Sequence, residues 1–420
     1  MRAGAAKIEI TPPLGRPMAG YASRTETAVG VHDPLYARAL VCEGNEGCVA
    51  LVAADLAEIP DRLYTAVVRE VTVRTSIGSD QLQVLAVHTH GGPDFPGPDA
   101  YEGELVERLA TVVAQAWEER REALVAVGTG TVSHIGRNRR SADGPVDNDV
   151  TVLRIDDTRG RGIATLLNYS CHPTTLGPDN LLYTADYPGV VCAAVDRAVD
   201  GVAIFTTGAQ GDVNPGGYSA EGSMIGEVVP WRNYASAERY GAEVARVALE
   251  VRDRLRPEPA SSVWGRSRMI EVPRKPLPTP AEALEGVERA REELSRVSAG
   301  GTPDQVAAAK KALVYAQILA SQAADTDRDR PVSVRLSALG IGPAVHAGLP
   351  GELFAELGMR IKREVGYGST FVAVYCNGAM GYIPTREALE AGGYEPRASI
   401  LRPGGGETIT QAAIALTLGK

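Results

Sequence analysis

The chain alternates between two apolar periodicities, and that alternation most restricts how it can fold. Strand-like runs recur at 6–11, 48–54, 83–87, 124–132, 150–155, 163–167, 202–207, 332–339 and 370–375. Helical patterns lie between many of them, at 101–122, 187–199, 235–255 and 352–364. Helices interleaved with strands cover a sheet, so the expected class is α/β: a layered mixed-sheet single domain over residues 1–420. A chain of 420 residues is long enough for a large core.

Segment 273–331 breaks the pattern. It opens with PRKPLPTP, which cannot be a central strand. Leu284, Val287, Ala290, Leu294 and Val297 then share one helical face. After Gly300-Gly301, the run Thr302-Pro303-Asp304-Gln305 supplies an N-cap, a first-turn proline and a capping-box glutamine. The expectation is an inserted helical hairpin at about 281–324 that packs over the sheet.

Composition excludes several function classes. The formal net charge is -9 and no basic block occurs, which argues against a nucleic-acid partner. No apolar run reaches membrane-spanning length, so no stable membrane anchoring is expected. The start carries no signal-peptide pattern, and the five cysteines form no C-x-x-C pair. Both features fit a cytoplasmic protein with reduced thiols, in which the Asn168-Tyr169-Ser170 sequon goes unused. A homodimer is the base-rate expectation for assembly.

The chemistry concentrates at strand ends. In VLAVHTHGGP, His88 and His90 follow an apolar run and precede a Gly-Gly-Pro turn. On an extended backbone, residues i and i+2 point the same way and would offer two imidazoles to one site. His172, in NYSCHPTTLG, ends a second strand in the same manner. VAIFTTGAQGDVNPGG feeds a glycine-rich turn that lacks a P-loop lysine and reads as a backbone loop lining a pocket. Glu352, in GLPGELFAELG, would start a helix, where the dipole favours it with or without a metal. Tyr382 and Tyr394 lie in turn-rich loops. His32 could approach from an N-terminal loop, while His134 and His346 look ordinary.

Together, AKIEITPP, MAGYA, HTHGGP, GRNR, NYSCHPTTLG, TGAQGDVNP, PGELFAELG, GYIPT and YEP resemble, in order, the catalytic domain of the neutral/alkaline non-lysosomal ceramidase family. The resemblance implies amide hydrolysis with one zinc ion per chain. It implies His88, His172, Glu352 and Tyr382 as metal ligands, and His90 as a non-ligating histidine facing the substrate. Arg139 would face the reacting carbonyl, with Arg137 and Arg140 as neighbouring alternatives, and Tyr394 would be a second site tyrosine. Asp186 is a candidate for orienting a ligand histidine.

Three departures accompany the resemblance. Asn214 stands where the family carries a serine proposed as nucleophile. An amide cannot attack, so metal-activated water is favoured, and Asn214 could still donate a hydrogen bond to substrate. The chain ends at Lys420 without a C-terminal immunoglobulin-like domain, and it shows no secretion signal. These point to a small or polar amide as substrate. A zinc esterase, lactonase or acyl-transfer enzyme is the alternative, and a non-catalytic binding protein is a third reading.

Overall fold

The computed structural model describes residues 1–366 and 370–420. Its centre is a nine-stranded sheet. Along it run Val202–Thr207, Gly162–Tyr169, Asp149–Asp157, Arg121–Thr131, Arg2–Glu9, Tyr36–Glu43, Cys48–Ala54 and Leu82–Ala86, with Glu258–Pro259 added beside Arg121–Thr131. The outermost pair at each end is parallel and the strands between are antiparallel. This confirms the mixed α/β class.

Alternation along each strand divides the interior into two cores. In Cys48–Ala54, Ala50, Val52 and Ala54 enter one core, while Val49, Leu51 and Ala53 enter the other. Helices Asp61–Thr75 and Ala100–Glu118 cover the first face, and Asp186–Ala198 and Tyr234–Arg254 cover the second. A four-stranded sheet of Val263–Val272, Val332–Ile341, Ala344–Gly348 and Thr370–Ala373 joins them, covered by Ala355–Val365 and Gly405–Thr417.

The large sheet curls until its two edges meet. Val374 N donates to Thr207 O on one edge strand. Ala86 N, on the other edge strand, donates to Tyr375 O, and Asn377 N donates to Val84 O. Residues 374–377 thus bridge both edges. His88 follows one edge strand and His172 follows Gly162–Tyr169, the neighbour of the other, so the curl brings the two histidines together.

The helical hairpin is present as Pro280–Ser298 and Pro303–Ala324. Thr302 and Gln305 form the expected capping box, and Thr279 and Glu282 form a second. Its apolar stripe is only partly used. Val287 and Val297 are buried, but Leu284 is 60% exposed, because the hairpin lies at the periphery with little to cover its start. The expected helix at 352–364 also begins later, at Ala355. Glu352–Leu353 instead pairs in parallel with Tyr382–Ile383. No described helix is long and apolar enough to cross a membrane.

Candidate active site

Beyond strand Leu82–Ala86, the backbone does not stay extended. His88 adopts φ 69°, a left-handed conformation costly for a residue with a Cβ. The expected extended H-x-H pair is therefore a turn. It still brings His90 Nε2 to 3.3 Å from His88 Nε2. Gly20 admits the His90 ring, since a Cβ there would lie 2.4 Å from His90 Cγ.

His172 follows strand Gly162–Tyr169 and is fully enclosed. Its Nε2 lies 2.7 Å from Glu352 Oε2, and His88 Nε2 lies 3.6 Å from the same oxygen. The ligand atoms of His88, His90 and His172 fall within 4.8 Å of one another. Glu352 reaches this point because its strand pairs beside Tyr382. That pairing needs a glycine at 351, where a Cβ would meet Gly381 O at 2.4 Å.

Backbone carbonyls fix the two buried imidazoles. His88 Nδ1 donates to Ala57 O at 2.6 Å, and His172 Nδ1 donates to Val213 O at 2.9 Å. Asp186 plays no part in this. Its carboxylate accepts from Thr175 and from Tyr187 N, and the short backbone loops already supply the acceptors that it was expected to provide. Burial and the Arg139 charge lower the His172 pKa, so this ring is neutral. A neutral ring with its proton on Nδ1 has only a lone pair on Nε2. Glu352 is buried with its Oε2 facing both Nε2 atoms. Lone pairs and a carboxylate oxygen thus converge at one buried point, an arrangement that a shared cation resolves. Two imidazoles with one carboxylate are a donor set that suits zinc.

Arg139 closes another side. Its Nε donates to Glu395 Oε1 at 2.7 Å and its Nη2 to Tyr382 Oη at 3.0 Å. Of the three neighbouring arginines, Arg139 lines the cavity above the histidines. Arg140 pairs with Glu395 Oε2, and exposed Arg137 donates to Ser133 O. Tyr394 packs edge-on to Tyr382 with ring centres 5.7 Å apart, and burial with the Glu352 charge pushes its phenol up to about 12.

The cavity holds about 200 Å³. His88, His90, Arg139, Glu352, Tyr382 and Tyr394 all face it. Asn214 does not: it is fully buried and its Nδ2 donates to Tyr218 O. The loop at 208–217, expected to line a pocket, lies behind the site instead. Val213 O accepts from His172, and Asp212 O accepts from Arg139 N. His32 lies elsewhere, stacked on Tyr234, and His346 is buried in strand Ala344–Gly348.

Sequence reading missed four lining residues, Glu58, Asp94, Tyr218 and Tyr375. Glu58 could have been found, because it follows strand Cys48–Ala54 as His88 follows its own. Neither Glu58 nor Asp94 forms an ion pair among the described residues, so one wall of the cavity is acidic. Tyr375 left no signal beyond its own letter.

The fold and site define a mixed α/β protein with a buried histidine–carboxylate centre suited to a hydrolytic metal. A family model described as "Neutral/alkaline non-lysosomal ceramidase, N-terminal" matches residues 1–98. Neutral ceramidase of Drosophila melanogaster is 23% identical over 253 residues, covering 51% of this chain and 36% of that protein. Neutral ceramidase A of Dictyostelium discoideum is 24% identical, covering 50% and 35%. The chain thus spans about a third of the length of the curated relatives it matches. The solved neutral ceramidase of Pseudomonas aeruginosa shares the fold over 100% of this chain and 74% of its own, with a TM-score of 0.79 at 20% identity. The chain is thus similar to the neutral/alkaline non-lysosomal ceramidases in the sequence of its first quarter and shares the fold of a solved neutral ceramidase throughout.

Proposed function

We propose that this protein is a zinc-dependent amidohydrolase that cleaves the C–N bond of a small or polar N-acyl substrate. The observation that carries this reading is the convergence of His88 Nε2, His172 Nε2 and Glu352 Oε2, with both Nδ1 atoms committed to carbonyl oxygens. His88, His172 and Glu352 would hold the ion, with Tyr382 completing the set. When bound, zinc supplies a Lewis acid and a water of lowered pKa.

The remaining roles belong to the chain. Amide cleavage places negative charge on the carbonyl oxygen, and Arg139 with the Tyr382 and Tyr394 hydroxyls can stabilise it. Cleavage also requires a proton on the departing nitrogen. His90 lines the cavity, and burial beside His88 and His172 lowers its pKa, so it starts neutral, can take the proton that the attacking water loses, and passes it to that nitrogen. Unlike the other two rings, its Nδ1 has no partner among the described residues, which favours a mobile proton carrier over a fixed ligand. Asn214 acts at one remove, by holding Tyr218.

A cavity of about 200 Å³ is small beside the usual range of about 300–1,000 Å³ for ligand pockets, which supports a compact substrate. The Glu58 and Asp94 carboxylates support a polar one. Metal analysis and kinetics test the reading. About one zinc per chain is expected in the unaltered protein, with binding lost in H88A and E352A. H90A should keep its metal and lose turnover by about 10²–10⁴-fold. Full amide cleavage after exhaustive chelation would overturn the proposal, and faster cleavage of a matched ester would move it to the esterase reading.

A further inference from the structure

Tyr375 touches two of the four side chains proposed to hold the metal. Its hydroxyl donates to Glu352 Oε1 at 2.9 Å. Its ring stacks on the His88 imidazole, with centres 4.5 Å apart and planes inclined by 23°. The residue is 5% exposed and faces the cavity.

The backbone around it is tightly determined. Tyr375 adopts φ 46°, a second left-handed residue beside the left-handed His88. Its carbonyl accepts from Ala86 N, two residues before His88. Asn377 clamps the same strand, accepting from Val84 N at 2.7 Å and donating to Leu82 O at 3.1 Å. A conformation of this cost persists only where its surroundings impose it.

The two oxygens of Glu352 are therefore divided. Oε2 faces His172 and His88, while Oε1 is occupied by the phenol. We propose that Tyr375 is a positioning residue that restricts Glu352 to one oxygen toward the cation, and so keeps a coordination position open for water. The proposal rests on the metal-site reading above. Without the phenol, Oε1 is free to swing toward the ion and fill that position. The hydrogen bond also draws charge from the carboxylate, so its loss changes the donor strength of Glu352.

The test uses the full-length protein loaded with cobalt(II), whose visible absorption weakens as coordination number rises. The unaltered protein should bind about one equivalent, with intense bands that set the reference. Tyr375→Phe keeps the stacked ring and loses only the donor. It should still bind one equivalent, with weaker bands and an affinity changed by about 10- to 100-fold in chelator competition. Tyr375→Gln retains a donor and should restore the intense spectrum. A thermal melt confirms that each variant is folded, and if Tyr375→Phe is not, Tyr375→Leu provides the donor-free comparison with Tyr375→Gln. Identical spectra and affinities with and without the donor overturn the role of Tyr375 and leave the metal site standing. Failure of the unaltered protein to bind cobalt or zinc overturns both.

Discussion

His346 shows how a buried histidine outside the site carries a measurable burden. It is 2% exposed, and neither ring nitrogen has a partner among the described residues. Burial alone pushes its pKa from 6.5 to about 3. Below about pH 6.5 the unfolded chain takes up a proton that the folded chain refuses. Stability present above that pH is therefore lost as pH falls toward 3, by about 1.4 kcal/mol per pH unit. His346→Leu should abolish this slope and raise stability at pH 5 by about 2 kcal/mol relative to the parent, as read by urea melts across pH. An unchanged slope would show that the ring finds a partner. At the candidate site, single residues were legible where chemistry and strand ends coincide, as at His88, His172 and Glu352. The carbonyls of Ala57 and Val213, which fix the imidazole protons, could not be read because every residue has a carbonyl. Tyr375 was hidden for a related reason: its importance comes from a left-handed backbone that no local pattern encodes.

At the scale of elements, the hairpin reaches the site without entering it. Glu221, on the short helix Ala220–Met224, accepts from Lys311 at 3.2 Å and from the Tyr315 hydroxyl at 2.5 Å. Gln322 Nε2 donates to Ala398 O at 2.8 Å, at the end of the helix that begins with Tyr394. Ala220, Ser223, Met224 and Tyr394 all line the cavity, so the hairpin braces two of its walls. Tyr315→Phe should raise KM by about 3- to 10-fold, the equivalent of one ordinary hydrogen bond, while the melting temperature stays nearly constant. A change in kcat alone would contradict the bracing role. Thr302→Ala should cost about 1 kcal/mol through the lost N-cap. Proline and capping signals made this element legible nearly to the residue. Strand Tyr36–Glu43 escaped notice because Arg38 and Glu43 interrupt its apolar pattern. Inside the fold, Arg38 Nη1 pairs with Asp196. Glu352 was expected in a helix because its distant partner strand, Tyr382–Ile383, cannot be inferred from neighbours.

For the whole molecule, three distant segments meet at one point, so a bound ion would tie the curled sheet together. Binding to the native state alone adds about 2.7 kcal/mol when the free ion exceeds its Kd a hundredfold. Zinc should therefore raise the melting temperature of the chelated protein, and H88A should show no such rise. An equal rise in both would mean that the ion binds elsewhere. Alternating strands and helices made the α/β class readable. Strand order was not, because pairings such as Arg2 with Glu122 join residues far apart in the chain. The bracing of the cavity from outside has one further consequence. The chemistry answers to residues locked in the interior, whereas the shape of the chamber answers in part to an appendage on the periphery. A lineage can therefore revise what the chamber admits by rewriting that appendage, and inherit the interior unaltered.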